Sequence, residues 1–439
     1  MSLKHDPDNQ IASRPAWSSY MNQVYTRRNP PSIGSYDFER LETRASDVTK
    51  DYHAAFNYAF GNAGSSSTTR ANRKALDQWC IVPRMLRDAS NRSLETTLFG
   101  VKYPSPLFVA PVGVQAILHV DAELATARAA AKVGVPFIMS TASSRAPEEV
   151  AQAGGSGPRW FQLYWPSSDD VALSLLSRIK KLGFSTLVVT LDTVLLGWRC
   201  HDLDTAYLPA LHGLGTQVGL SDPVFMARQG LQPRFDHPAF PFDPDALDKL
   251  RASGDEKELQ AIQIGREWIK EISSGSFKTW DYISFLRKHW DGPIVLKGIL
   301  CVEDAHNAID SGVDGIVVSN HGGRQVDGAI PSFVALQRIM QSKRVLGAQN
   351  SGRFTVLFDS GIRTGSDILK AIAMGAQGVL VARPYLYGLA ISGEQGVEEV
   401  LRGLLADMEI TMGLSGYRSI EEICGKYEEI LYKLDAGLF

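Results

Sequence analysis

The stretch Ile316–Gly328, IVVSNHGGRQVDG, passes from an apolar run into His321, Arg324, Gln325 and Asp327, with only two glycines between the histidine and the arginine. Histidine is the side chain that most readily accepts a proton near neutral pH. Arginine presents a planar fork matched to a carboxylate. A base beside a carboxylate-binding cation describes chemistry on a small organic acid. Two further residues end apolar runs in the same way. Lys297 closes PIVLKG, where an unpaired buried ammonium needs an anionic partner or a lowered pKa. Its candidate uses are a Schiff base with a carbonyl substrate or a positive charge beside a cofactor that becomes negative. Asp192 closes TLVVTLD. From there a carboxylate would orient His321 and favour its protonated form.

These residues need a scaffold that brings the ends of distant runs together. Eight short apolar runs punctuate the chain, beginning at Leu107, Pro136, Arg159, Thr186, Pro293, Gly315, Thr355 and Gly378. Each is nearly continuous in apolar residues, as strands buried on both faces are. Helical patterns separate them; in DAELATARAAAKVG, Asp121 is the expected N-cap and Gly134 the expected C-cap. Eight such units predict an α/β fold, a (β/α)8 TIM barrel, rather than an open sheet. Barrels place chemistry at the carboxyl ends of their strands. Polar or turn-forming residues recur there: Pro111 and Gly113, Ser140, Gln162 and Tyr164, Thr190 and Asp192, Lys297, Asn320 and His321, Asp359, and Arg383. The loop DSGIRTGSDILKAIAMG, with Arg363 inside it and Arg383 after the last strand, predicts a phosphate held by backbone N–H groups at a helix start. A tight turn that needs glycine is the plainer alternative.

The reading divides the chain into a helical extension packing on the barrel at 1–95, the barrel at 96–415, and a helical tail at 416–439. An insertion at 200–285, rich in Pro and Phe around LQPRFDHPAFPFDPD, is expected to act as a lid after the fourth strand. Composition excludes other classes. With 44% hydrophobic and 21% charged residues and a formal charge of −3, nothing favours a nucleic-acid partner. The polar start, the lack of a run near the ~20 apolar residues that span a bilayer, and a carboxyl end that is no peroxisomal address point to no membrane and a cytoplasmic location. Four scattered cysteines suggest a reducing compartment, and no metal site is expected.

SNHGGRQVDG matches the active-site signature of the FMN-dependent 2-hydroxy acid oxidising family, and the resemblance extends from about Tyr36 to Leu414. Within that family, APVGV, RWFQLYWP, TLDTVLLGWR, FDSGIRTG and RPYLYGLA look most like lactate 2-monooxygenase. The resemblance implies FMN as cofactor, a 2-hydroxy acid as substrate, dioxygen as acceptor and a homotetramer. It implies that His321 takes the substrate proton and that Asp192 supports its charged form. Arg324 and Tyr58 would grip the carboxylate, with Arg199 a further cation and Tyr164 against the substrate oxygen. Lys297 would lie beside the flavin. Flavin contacts would come from Pro111, Val112, Gly113, Ser140, Gln162, Thr190 and Ser319. Phosphate contacts would come from Asp359, Gly361, Arg363 and Arg383, beside Ala382.

Plainer readings stand beside these: Tyr58 as a packing aromatic, Tyr164 as a core tyrosine, Arg199 as a partner of Asp202 or Asp204. The chain departs from the family pattern at Ser360 and Ala382, where glycines are usual, and at bulky Phe60, which would reshape the pocket near Tyr58. The resemblance puts Gly113 beside the reactive flavin edge, where oxidases tend to carry alanine and monooxygenases glycine. Extra room there would let the 2-oxo acid meet peroxide and lose its carboxylate. The implied activity is oxidation of a lactate-like L-2-hydroxy acid. Rival readings are a dehydrogenase with a non-oxygen acceptor and a flavin-binding barrel with an atypical substrate or little turnover.

Overall fold

The structure is a computed structural model that describes residues 16–434, apart from 238, 242, 244 and 255. The polar start at 1–15 and the carboxyl end at 435–439, on which the targeting expectations rested, lie outside the described residues.

Eight parallel strands close into a barrel in chain order. They are β1 (Leu107–Val109), β2 (Phe137–Ser140), β3 (Arg159–Leu163), β4 (Leu187–Thr190), β5 (Ile294–Ile299), β6 (Gly315–Val318), β7 (Thr355–Phe358) and β8 (Gly378–Val381). Every predicted run supplied its strand, and β8 pairs back onto β1 through Val379 and Leu107. Alternate residues point to opposite sides of a strand. One set, including Phe108, Ile138, Trp160, Val188, Val295, Val317, Leu357 and Leu380, forms a cluster inside the barrel. The other set packs outward against the helices. A hairpin of Thr96–Leu98 and Val101–Tyr103 closes the amino end of the barrel. There Leu98 and Tyr103 join the inner cluster, and Trp160 Nε1–H donates to Tyr103 Oη at 3.3 Å.

Gly134 ends its helix in the left-handed region at φ 82°, as predicted, while Asp121 stands at the N-cap position without capping. The Asp121 carboxylate pairs with Arg128 at 2.8 Å instead, and so leaves the helix start. The segment before the barrel meets the segment after it, because Trp79–Ile81 pairs antiparallel with Leu431–Lys433. Nothing in the local pattern of the tail announced that short strand. The helix Phe38–Val48, capped by Asp37 accepting from Arg40 N at 3.0 Å, brings Phe38 against Tyr387. Between β4 and β5 the insertion forms short helices, then the longer Glu256–Ile272. Its Trp268, Phe225, Val218 and Ile264 are buried and join the apolar cluster packed around the barrel. Among the described residues no helix is long and apolar enough to cross a membrane.

Candidate active site

The inward pleat that fills the barrel also sets the site. Two residues beyond Ile138, Trp160, Val188, Val295, Val317 and Leu357 come Ser140, Gln162, Thr190, Lys297, Ser319 and Asp359. A period of two therefore directs a polar layer inward just above an apolar plug. Above that layer lies a cavity of about 240 Å³. One water needs only ~10–15 Å³ on the same measure, so the space exceeds what a small acid alone requires. Fifteen of the predicted site residues line it: Tyr58, Pro111, Val112, Gly113, Ser140, Tyr164, Arg199, Lys297, His321, Arg324, Asp359, Gly361, Arg363, Ala382 and Arg383. Asp192, Gln162, Thr190 and Ser319 are not in the lining. They stand in or behind the polar layer.

His321 begins where β6 has ended, in the left-handed region at φ 57°. That conformation is costly for a residue with a Cβ and is typically held only by surrounding structure. Its Nδ1 lies 2.7 Å from Asp192 Oδ1, and the Thr193 hydroxyl also reaches that carboxyl oxygen at 2.8 Å. A carboxylate accepts, so Nδ1 carries the proton and the other ring nitrogen, Nε2, keeps its lone pair. Burial pushes the His321 pKa down, and Lys297 and Arg199 add to that. Asp192 raises it, but the net shift is downward. Asp192 favours the charged form, as expected, but burial outweighs it, so the neutral imidazole is favoured in the free protein. Burial would raise the Asp192 carboxyl, yet Lys297 and His321 hold it well below the usual carboxylate range.

Lys297 Nζ faces Asp192 Oδ2 at 3.3 Å and Asp359 Oδ2 at 3.7 Å. Burial alone would lower the lysine; the two carboxylates outweigh it and the pKa is raised. The residue is a cation with partners, and the Schiff-base option loses its basis. Tyr164 is pushed up to about 12, first by burial and then by Asp192, so its phenol stays protonated as a donor.

On the carboxylate side, Arg324 donates from Nη1 to the carbonyls of Gly61 and Ala59, and its guanidinium lies 5.5 Å from the Tyr58 ring centre. Asp327 accepts from the N–H and hydroxyl groups of Ser65 and Ser67. It thereby ties the loop after Tyr58 to the segment that carries Arg324. Arg199 donates to the Arg324 carbonyl at 3.0 Å and to Gln325 Oε1 at 2.7 Å. Its separation from Asp202 is 3.9 Å, an ion pair without a hydrogen bond. Burial and the neighbouring Arg199 and Arg383 lower the Arg324 pKa, but a guanidinium so shifted remains charged at neutral pH. Thr193, Asn62 and Tyr207 were not singled out from sequence, and Asp202 only as a possible partner of Arg199. The Arg199–Asp202 spacing of three was the only local signal among them.

The phosphate expectation needs correction. In the helix Gly365–Ala373, the N–H groups of Arg363 and Thr364 donate to Asp367 Oδ2, and Gly365 N donates to Asp407. An acidic residue three places into the helix consumes the donors the sequence had assigned to an anion. What remains are the guanidiniums of Arg363, stacked 3.9 Å from the centre of the Phe38 ring, and Arg383, which donates to Asn62 Oδ1 at 2.6 Å. Ser360 adopts φ 80°, the conformation a glycine would supply. Its hydroxyl donates to Asp359 and accepts from Gly322 N at 3.0 Å. Phe60 stacks on Phe56 and packs against His201. It is absent from the cavity lining, so it does not reshape the pocket.

A family profile described as FMN-dependent dehydrogenase matches residues 49–429. The chain belongs to the FMN-dependent dehydrogenase family. This family member is 45% identical over 409 residues to an FMN-dependent alpha-hydroxy acid dehydrogenase of Penicillium citrinum, covering 92% of this chain and 94% of that protein. It is 39% identical over 366 residues to an L-lactate oxidase of Lysinibacillus sphaericus, covering 83% and 86%. A crystal structure of mandelate oxidase superposes with a TM-score of 0.70 at 35% identity, covering 89% of this chain and 97% of that one. This FMN-dependent enzyme is an alpha-hydroxy acid oxidoreductase.

The residues present fit FMN. Gln162 Nε2 and Arg383 Nε are buried without a hydrogen-bond partner among the described residues, which is a cost unless a ligand supplies acceptors. Burial and Arg383 lower the Arg363 pKa, a repulsion that a phosphate between the two guanidiniums would relieve.

Proposed function

We propose that this protein oxidises an L-2-hydroxy acid to the 2-oxo acid with dioxygen as the final acceptor, RCH(OH)COO⁻ + O2 → RC(O)COO⁻ + H2O2. The observation that carries the reading is the neutral His321, oriented by Asp192, on the same cavity wall as Arg324, Arg199 and Tyr58. Arg324 and Arg199 bind the substrate carboxylate, with the Tyr58 ring beneath the Arg324 guanidinium. His321 Nε2 takes the proton released on oxidation, and Asp192 stabilises the imidazolium that results. Tyr164 donates to the substrate hydroxyl oxygen. Bound FMN supplies a two-electron acceptor. Lys297, held by Asp192 and Asp359, provides positive charge beside it. Gln162, Ser140 and Thr190 face the ring system, Arg363 and Arg383 hold the phosphate, and Gly361 gives it close backbone approach. Asp359, a carboxylate paired to Lys297, would repel the phosphate that the resemblance had assigned to it and would instead accept from hydroxyl groups of the cofactor. The insertion at 200–285 covers the substrate.

The relatives leave the acceptor open between dehydrogenase and oxidase. The decarboxylating variant, RCH(OH)COO⁻ + O2 → RCOO⁻ + CO2 + H2O, loses its sequence rationale. A Cβ at Gly113 would meet Ala142 O at 2.6 Å and Ala142 Cβ at 2.7 Å, so glycine there seats the adjacent loop rather than enlarging the product's space. The test is anaerobic mixing with L- and D-2-hydroxy acids, followed by absorbance near 450 nm, then admission of oxygen. Bleaching by L-acids and peroxide equal to the 2-oxo acid formed are expected. Bleaching that air does not reverse would reassign the acceptor, and a yellow protein no acid bleaches would end the proposal.

A further inference from the structure

Resting on the proposed oxidation, we infer that the substrate's side chain is a bulky apolar group of four or more carbons, held by a wall that the insertion contributes. The acid-binding groups occupy one side of the cavity. The insertion adds Leu208, Ala210, Leu214, Ile269 and Ile272 to the lining, with Ser273 its only polar side chain there among the described residues. No charge and no carboxylate comes with them. A polar or acidic substrate tail would face this wall without a partner, which is costly in a closed site.

The wall lies over the substrate end rather than the phosphate end. Tyr207 stands edge-on to Tyr58, ring centres 6.5 Å apart, so Leu208 arrives beside the carboxylate-binding tyrosine. Gly215 is packed so closely that a Cβ would meet Val114 Cγ2 at 2.6 Å and Ala142 O at 2.8 Å. Residues 207–215 therefore run from Tyr58 to the turn carrying Pro111–Gly113. The helix Glu256–Ile272 backs this run. Its Trp268 is fully buried and lies so close to Gly219 that a Cβ there would strike the indole. Leu214 is only 1% exposed. The wall is continuous with the apolar packing around the barrel, so it presents a fixed apolar surface. A substrate as small as glycolate or lactate leaves that surface uncovered. Each methylene it buries gains roughly fourfold in binding.

The test compares the anaerobic rate of flavin reduction by L-lactate and the linear L-2-hydroxy acids up to 2-hydroxyhexanoate. A parallel titration follows the flavin spectrum with acetate through hexanoate, which bind without reacting. The expected result is a rise of roughly fourfold per methylene, on the order of 50-fold in kcat/KM across the three added methylenes, with a matching fall in Kd. Leu208→Gln and Ile269→Gln, at half-buried positions, should flatten both slopes while retaining FMN. Rapid reduction by lactate with a flat or falling series overturns the inference and leaves the oxidation standing. A slope in carboxylate binding with no reduction by any acid keeps the apolar wall and overturns the oxidation.

Discussion

Asp192 serves two partners at once: Oδ1 lies 2.7 Å from His321 Nδ1 and Oδ2 lies 3.3 Å from Lys297 Nζ. One buried carboxylate thus fixes the tautomer of His321, the proposed base, and balances Lys297, the cation proposed to stand beside FMN. The arrangement couples the two ends of the half-reaction, and four predictions follow from it and its surroundings.

The rate of flavin reduction should hold at neutral pH and fall only in acid. His321 works unprotonated, and burial moves its pKa below the ordinary histidine value, so the loss comes as pH drops through that lowered pKa. Asp192→Asn removes the main influence raising it. The acid limb should therefore shift to still lower pH while the plateau falls by roughly 10²-fold or more. Stopped-flow pH profiles of both proteins check this; an acid limb that moves upward in the variant contradicts the assignment.

Arg324→Lys keeps the charge and loses the fork that reaches the Gly61 and Ala59 carbonyls while facing the acid. A charged hydrogen bond is worth about 1.5–3 kcal/mol, so KM for the hydroxy acid should rise roughly ten- to a hundredfold. Steady-state kinetics and carboxylate titration should agree on that loss.

Arg363→Gln and Arg383→Gln should weaken FMN binding by a comparable factor each, because both guanidiniums line the cavity at the β7–β8 end and Arg383 lowers the Arg363 pKa. Reconstitution of apoprotein, followed by quenching of FMN fluorescence, measures it. Riboflavin, which lacks the phosphate, should bind wild type and variants alike.

Gly113→Ala forces a methyl against the Ala142 backbone. Overpacking of that kind costs about 1–3 kcal/mol, so thermal unfolding should come earlier and FMN be lost more readily, with the product unchanged. A stable variant whose product switches between the 2-oxo acid and its decarboxylated form would restore the role first read from sequence.

The barrel and its polar layer were legible in the chain. Continuous apolar runs with Ser140, Gln162, Lys297 and Asp359 two places beyond inner-core residues are a local, period-two signal. So was the pairing of His321 with Arg324 across two glycines. Where a donor is already spent is a non-local matter. The capture of the Arg363 and Thr364 N–H groups by Asp367 and the turning of Phe60 onto Phe56 and His201 each overrode a motif-based expectation. The direction of the His321 shift belongs there too, because it is a contest between desolvation and three charges, Asp192, Lys297 and Arg199, that the fold brings in from outside its own segment. Sequence determined which side chains ring the barrel mouth, since pleat and strand count follow from nearest neighbours. Tertiary structure alone decided which are paired, which are neutral, and that Leu208, Leu214, Ile269 and Ile272 add an apolar wall to the cavity that Tyr58 lines, since those outcomes depend on distances between segments far apart in the chain.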